Sequence, residues 1–233
     1  MIRSESDGQI RRVTFDRPDA RNALTIDALE DLESAVERAD EPVIYLEGAG
    51  PAFCAGADLS AVADLDRERA VAFARRGQRV ARTLEDAESV VVAGIDGPVR
   101  GGGLELALAC DLRVGTPAAT FGEPGVTFGL FGAWGGTVRL PRVLGEGDAL
   151  EVALSGRVLD AEQALRIGLL SRIEAEPWTV AEELAANAPD ALAVLKRRIR
   201  DDRGQAVQER AEAEAFGDLL ETHAADIRAL LEE

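Results

Sequence analysis

Two glutamates lie in stretches that are otherwise apolar and rich in glycine, and both are candidates for acid–base chemistry. Glu105 stands among leucines and alanines in GGGLELALACD, where burying a charge is costly unless it serves a purpose. The alternative is a structural acid held by backbone N–H groups at a helix start. Glu123 is the one ionisable group of FGEPGVTFGLFGAWGG, in which six glycines let the backbone approach another group closely.

Two glycine-bearing loops stand near these acids in the sequence, and each follows an apolar strand and leads toward a helix. They are AFCAGADLS, residues 52–60, and DGPVRGGGLELALACD, residues 96–111. Free backbone N–H groups at a helix start stabilise an anion or a developing oxyanion. Two such loops that converge would clamp one carbonyl oxygen from two sides. Each loop taken alone is also compatible with a plain tight turn.

Other common chemistries find little support in the residues. There is no GxSxG motif, and the single histidine, His223, is predicted to be a surface residue of the terminal helical region. No His, Cys and carboxylate cluster has metal-ligand spacing. Cys54 and Cys110 are predicted to be small buried hydrophobic residues. YLEGAGPAF places G-x-G after a strand, but Phe53 replaces the third glycine of a dinucleotide site.

The elements that must position the two acids alternate between strands and helices, which predicts an α/β domain with mostly parallel strands. Helical periodicity continues beyond Glu174 without strand signals. We therefore predict a core over residues 1–173 and a helical region over 174–233. Strands are expected at 9–15, 42–48 and 89–97, and helices at 26–39 with Thr25 as N-cap, at 64–88 and over LELALACD.

Composition narrows the class of protein. The chain has 233 residues, 46% of them hydrophobic, and a formal net charge of −17, which argues against nucleic-acid binding. Lys196 is the only lysine among 26 basic residues, and an acidic, lysine-poor surface is typical of a halophilic source with a salty cytosol. We expect no membrane span, no secretory signal in MIRSESDGQIRRV, and a cytoplasmic protein.

Five segments in order resemble the enoyl-CoA hydratase/isomerase (crotonase) family. They are FDRPDARNALT, AFCAGADL, IDGPVRGGGLELALACDLRV, GGTVRLPRVLG and ALSGRVLDAEQALRIGLLSRI, and they cover roughly the first 170 residues. The resemblance implies a spiral of ββα units with a C-terminal helical part, assembled as a homotrimer or a dimer of trimers. It also implies stabilisation of a thioester enolate by two backbone N–H groups.

Carried onto this chain, the resemblance assigns the two oxyanion donors to Ala57 and Gly102 and the first catalytic acid to Glu105. Family hydratases place a second glutamate after proline in Phe-Gly-x-Pro-Glu. This chain has FGEPG, so that position is Gly125. Glu123 lies two residues earlier and would point the same way if the segment were extended. An orienting or interfacial role is the alternative for Glu123.

The coenzyme A side of the site is also implied by the resemblance. Asp19 falls where many family members carry a basic residue near the coenzyme, and Arg17 or Arg21 would supply the positive charge instead. The acidic C-terminus also lacks the basic residues that often reach the coenzyme in the family. Phe128, Phe131 and Trp134 either shape an acyl pocket or pack under the loop. The positions that match the coenzyme-binding residues of the family are Ala23, Ala55, Asp58 and Leu59.

These features predict an acyl-CoA-processing enzyme with hydratase or lyase chemistry on an enoyl-CoA. No tightly bound cofactor is expected, and a coenzyme A thioester is the expected substrate. One alternative is an isomerase or another crotonase-type reaction in which bicarbonate or another anion near Gly125 replaces the second acid. The other is a non-catalytic acyl-CoA binder or structural homologue.

Overall fold

Two sheets form the centre of the computed structural model, which describes residues 1–232. The larger has six strands in the order β1-β2-β3-β4-β6-β9, and the smaller has three in the order β5-β7-β8. The strands are β1 (Ile2–Asp7), β2 (Ile10–Phe15), β3 (Val43–Gly48), β4 (Val90–Ile95), β5 (Pro98–Arg100), β6 (Leu112–Gly115), β7 (Thr120–Gly122), β8 (Leu159–Asp160) and β9 (Arg172–Ile173).

Ten α-helices accompany the strands in the described residues. They are α1 (Ile26–Glu37), α2 (Leu59–Ala63), α3 (Arg67–Asp86), α4 (Gly102–Ala109), α5 (Gly136–Leu144), α6 (Glu146–Ser155), α7 (Ala161–Arg166), α8 (Trp178–Ala185), α9 (Pro189–Ile199) and α10 (Gln205–Leu230). The predicted α/β class is confirmed. In the larger sheet β1 pairs antiparallel with β2, and β2, β3, β4, β6 and β9 pair in parallel.

Local sequence explains the first helices. Thr25 is the N-cap of α1, as predicted, and its side chain accepts a hydrogen bond from the Ala28 N–H. The helix buries Leu29, Leu32 and Val36, which recur at helical spacing. Every residue of α4 is buried, as expected for LELALACD. This helix therefore presents Glu105 from inside the core.

The larger sheet is covered on both faces. One face packs with α1, α3 and α4 around a cluster that includes Phe15, Leu46 and Leu104. The other carries Tyr45 and Val92 and is covered by α8. Burial on both faces explains why the parallel strands are continuous apolar runs.

Residues 174–232 form helices and turns, as the sequence predicts. Glu233, the last residue of the predicted helical region, lies outside the described residues. Helix α9 is tied to the core by Lys196, whose ammonium lies 2.9 Å from Asp111 and donates to the Ser89 carbonyl at 2.8 Å. Helix α10 has no buried residue among those described, and its His223 contacts Asp190 of α9. The division at residue 173 stays a prediction.

Candidate active site

The two glycine loops of the sequence meet in the structure. The Arg100 N–H donates to the Cys54 carbonyl at 2.9 Å, so the loops run side by side. A Cβ built on Gly56 would come within 2.9 Å of the Gly102 nitrogen, which shows how closely the loops approach. Because Gly56 has φ of +88°, a side chain there would be strained as well as crowded.

A buried asparagine holds the first loop. The Asn22 side-chain amide donates to the carbonyls of Ala49 at 2.9 Å and Ala52 at 2.8 Å. Asn22 itself is in the left-handed region with φ of 58°. Reasoning from residue chemistry missed Asn22, and the only signal for it was its place in FDRPDARNALT, the first segment that resembles the family. Buried Cys54 is a free thiol beside it, as predicted, and burial raises its pKa to about 12.

The predicted oxyanion donors face a common cavity of about 260 Å³. Ala57 and Gly102 both line it, together with Glu105 and Glu123. Within residues 1–232, neither the Ala57 nor the Gly102 N–H donates to another protein group. Gly102 is the first residue of α4, where helical N–H groups lack intrahelical partners. Two free N–H groups on adjoining loops can therefore stabilise one oxyanion.

Glu105 projects from the first turn of α4 into this cavity. Its Oε1 accepts hydrogen bonds from the backbone N–H groups of Trp134 at 2.7 Å and Gly136 at 2.6 Å. Burial raises its pKa to about 7, while the two N–H groups and the charge of Arg139 oppose that shift. The carboxyl is held in one orientation, and it changes protonation near neutral pH.

Two of the six glycines of residues 121–136, Gly132 and Gly136, pack against this carboxyl. A Cβ on Gly132 would lie 2.8 Å from the Glu105 Cδ, and one on Gly136 would lie 2.9 Å from its Oε1. Only a backbone without side chains can wrap the carboxylate so tightly. At these two glycines the close approach is to Glu105; an approach of this stretch to an acyl thioester stays a prediction.

Glu123 is a second buried acid on the same cavity, with 8% of its surface exposed. Its Oε1 has no hydrogen-bond partner among residues 1–232. Burial, together with the charge of Glu105, raises its pKa to about 8. Two buried carboxyls on one cavity, one of which raises the pKa of the other, are an arrangement suited to acid–base chemistry.

The segment after Glu123 is not extended, so the condition under which Glu123 and residue 125 would point the same way is not met. Residues Pro124–Phe128 form a 3₁₀ helix, and the Leu130 N–H closes the turn on the Gly125 carbonyl at 2.9 Å. A Cβ on Gly125 would point at the Leu130 carbonyl oxygen, 3.0 Å away. Residues 123 and 125 therefore do not point the same way, and Glu123 reaches the cavity from its own position.

Aromatic residues close part of the cavity. Trp134 is buried, and its ring meets that of Phe73 edge-on at 5.5 Å. A Cβ on Gly102 would come within 2.3 Å of the Trp134 ring. Phe128 and Phe131 also line the cavity and are 51% and 71% exposed, so neither is packed under the loop. Trp134 does both things the sequence suggested: it packs, and it forms a wall.

The predicted coenzyme contacts divide into two groups. Ala55 and Leu59 line the cavity. Ala23, Asp58 and Arg21 are not among the residues of its wall. Asp58 caps α2, and the hydrogen bonds from Ser60 and Arg17 lower its pKa to about 2. Arg17 is thus engaged with Asp58, and a coenzyme contact by these residues stays a prediction.

Arg139 and Glu85 support the site and were missed by sequence reasoning. The Arg139 guanidinium is buried, pairs with Glu85 and donates to the Trp134 carbonyl at 3.4 Å. Arg139 therefore fixes the backbone segment from Trp134 to Gly136, whose N–H groups hold Glu105. An arginine in GGTVRLPR gives no sign of this role, since Glu85 is 54 residues away.

Two kinds of feature are absent from residues 1–232. No helix in that range is long and apolar enough to cross a membrane. The same range contains no group of three or more His, Cys, Asp or Glu side chains placed to hold a metal ion.

Comparison with known proteins identifies the family. The model of the family "Enoyl-CoA hydratase/isomerase" matches residues 5–228. Short-chain-enoyl-CoA hydratase of Clostridium acetobutylicum is 35% identical, over 94% of this chain and 88% of its own. Crotonyl-CoA hydratase of Syntrophomonas wolfei is 37% identical, over 72% of this chain and 67% of its own.

A solved structure extends the likeness to the fold. Enoyl-CoA hydratase of Bacillus anthracis superimposes with a TM-score of 0.93 at 29% identity, covering 99% of this chain and 96% of that one. The crotonase fold with its C-terminal helices, expected from the motifs, is confirmed. The chain belongs to the enoyl-CoA hydratase/isomerase (crotonase) family, and it is an acyl-CoA-processing enzyme of that family.

Proposed function

We propose that the enzyme adds water across the conjugated double bond of an enoyl-CoA, with Glu105 and Glu123 as its acid–base pair. The observation that carries this proposal is Glu123: a second buried carboxyl, without a partner for Oε1 in residues 1–232, on the cavity that holds Glu105. Hydration needs one group to activate water and another to protonate carbon. Both groups are available here without an acid at position 125.

The thioester oxygen would lie between the N–H groups of Ala57 and Gly102. As water adds to Cβ, negative charge moves onto that oxygen, and preorganised donors stabilise it most when it is charged. Loss of one such donor typically costs about 2.7–4 kcal/mol of barrier. This assignment rests on the two free N–H groups and on the contact between their loops.

The different pKa values suggest the roles of the acids. With its pKa at about 7 and two N–H donors, Glu105 is the readier of the two to ionise. Glu123, at about 8, keeps its proton longer. Ionised Glu105 takes a proton from water while the water oxygen bonds to Cβ. Glu123 then gives its proton to Cα of the enolate, and the proton on Glu105 returns to Glu123 to complete the cycle.

The alternative in which bicarbonate near Gly125 replaces the second acid requires an additional bound ion. It is disfavoured because Glu123 already supplies a carboxyl from the protein. A non-catalytic binder is also disfavoured, because a carboxyl without function would not be kept buried and unpartnered at such cost.

We also propose assembly as a homotrimer or a dimer of trimers. Large exposed apolar side chains on two helices support burial against other copies, since monomers seldom expose large apolar patches. They are Leu154 of α6 and Phe216 and Leu220 of α10. Light scattering after size-exclusion chromatography measures the mass directly, and a monomer at micromolar concentration would refute this assembly.

Loss of the conjugated absorbance of crotonyl-CoA tests the reaction. We expect turnover by the wild type and a 10²- to 10⁴-fold lower rate, roughly the contribution of one acid–base group, for Glu105→Gln. The amide oxygen still accepts from Trp134 and Gly136, so the loop is retained. Glu5→Gln, at an exposed site on β1, is the matched control and should behave as wild type.

Two results would reject the proposal. One is binding of crotonyl-CoA without turnover by the wild type, which would favour the non-catalytic alternative. The other is turnover that appears only when bicarbonate is added, which would assign the second role to a bound anion.

A further inference from the structure

A second cavity, of about 410 Å³, is bordered by Glu123 but not by the oxyanion donors Ala57 and Gly102. It is open on one side and is bordered by the 3₁₀ helix Pro124–Phe128 together with α5 and α6. Leu140, Ala149, Leu150 and Ala153 give it an apolar lining. The two cavities share Glu123, Phe131 and Gly132 as wall residues. We call this space the second chamber.

The catalytic cavity has little room for a long hydrocarbon. Its volume of about 260 Å³ must hold the thioester, the attacking water and the first acyl carbons. Trp134 and Phe73 form one wall, and the Trp134 ring lies so close to Gly77 that a Cβ there would come within 2.2 Å. Such close packing leaves no space behind the tryptophan.

The second chamber has the size and chemistry to take hydrocarbon. An apolar cavity of about 150 Å³ is enough to bind benzene, and this one is larger. Glu123 and Glu146 are the only ionisable residues on its wall among the described residues. With its pKa at about 8, Glu123 is mostly neutral at pH 7, so the shared wall carries little charge there.

We propose that the second chamber binds the distal carbons of a medium-length, straight acyl chain, which passes Glu123 and Phe131 on leaving the catalytic cavity. This inference rests on the proposed function only in taking an acyl-CoA as ligand. Phe131, 71% exposed at the boundary, is able to move aside for the chain. The chamber thereby selects medium-chain over short-chain thioesters.

Affinity for saturated acyl-CoAs tests the chamber without requiring turnover. Calorimetric titration with butyryl-CoA and decanoyl-CoA gives a ratio of dissociation constants for each variant. Burying one methylene contributes about 0.8 kcal/mol, or roughly fourfold in affinity. We expect the wild type to bind decanoyl-CoA more than about tenfold more tightly, since several methylenes enter the chamber.

Two variants obstruct the chamber in different ways. Ala153→Phe fills it, and Leu150→Glu places a charge at a residue that is half exposed and therefore tolerant of substitution. Both should reduce the ratio to near one. Ala118→Phe, at an exposed position that is not part of either cavity wall, adds the same ring and should keep the wild-type ratio.

The outcomes separate this inference from the proposed reaction. A wild-type ratio near one, or a full ratio in both chamber variants, overturns the chamber. Failure of crotonyl-CoA hydration with the expected ratios leaves the chamber standing and rejects the reaction. If neither saturated thioester binds, both are overturned.

Discussion

Glu105 and Glu123 are two carboxyls of one cavity, and the structure supports them in opposite ways. Glu105 accepts two backbone N–H bonds from a loop that folds around it. Glu123 has an oxygen with no partner in residues 1–232. Both are buried, and burial raises both pKa values. The difference is that hydrogen bonds partly offset the shift at Glu105 and leave it lower.

This contrast shows how one fold gives two similar side chains different tasks. A carboxyl that is already hydrogen-bonded is fixed in direction and ionises more readily. A carboxyl without donors retains its proton, and its unpaired oxygen is free to contact whatever enters the cavity. Near neutral pH the two carboxyls therefore hold one proton between them, on Glu123.

The largest expected effect comes from Glu123→Gln, because an amide cannot donate a proton to carbon. We expect a rate 10²- to 10⁴-fold below wild type, typical for loss of one acid–base group. Wild-type kcat/KM should fall below about pH 7 and above about pH 8, as Glu105 gains and Glu123 loses its proton. Rates of crotonyl-CoA hydration from pH 5 to 10 test this, and the variant should lack the alkaline limb.

Moving the carboxyl from position 123 to position 125 tests whether the location of the second acid matters. The double variant Glu123→Gly, Gly125→Glu restores the family pattern in sequence, yet a side chain at 125 would point at the Leu130 carbonyl. It should therefore remain as slow as Glu123→Gln. Gly125 itself borders the cavity, so recovery of more than about a tenth of the wild-type rate would show that a carboxyl at position 125 can enter it despite the Leu130 carbonyl.

An intermediate effect is expected at Arg139, which acts on only one of the acids. Its charge lowers the pKa of Glu105, and its guanidinium holds the Trp134 carbonyl. Arg139→Gln should raise the Glu105 pKa, so the acidic limb of the rate profile moves to higher pH, with the alkaline limb unchanged. Arg142→Gln is the matched control, since Arg142 is exposed and lies farther from the same Glu85, at 3.8 Å. Equal movement of both limbs would contradict this assignment.

The smallest effect concerns stability. Glu123 titrates near 4.5 in an unfolded chain and near 8 in the fold, so between these values the folded state binds more protons. The free energy of unfolding then falls as pH rises, by on the order of 1 kcal/mol per pH unit, and the fall ends near pH 8. Glu123→Gln should flatten this dependence in urea titrations at pH 5 to 9, whereas Glu5→Gln should not.

Much of the fold was predictable because its signals are local. Thr25 and the apolar spacing behind it specify α1, and the uninterrupted apolar run around Glu105 specifies a buried helix. The glycine loops indicated paired N–H donors from strand and helix order alone. Family motifs added the identities of Ala57 and Gly102, whose loops adjoin in the structure.

The rest depends on contacts between distant residues. Nothing in FGEPG shows that a 3₁₀ turn separates the directions of residues 123 and 125, since that turn closes on Leu130. Glycine is required at positions 132 and 136 because a side chain there would clash with the carboxyl of Glu105, about thirty positions earlier. The buried pair of Arg139 and Glu85 likewise has no local pattern.

The single lysine offers a practical consequence. Lys196 is almost fully enclosed, at 6% side-chain exposure, and it joins α9 to the core through Asp111 and Ser89. An amine-directed chemical probe cannot reach it while that helix is seated. Peptide-level mass spectrometry of acetylation at this one position would therefore time the detachment of α9, with no engineered label, and would show whether the C-terminal helices leave before the sheet opens.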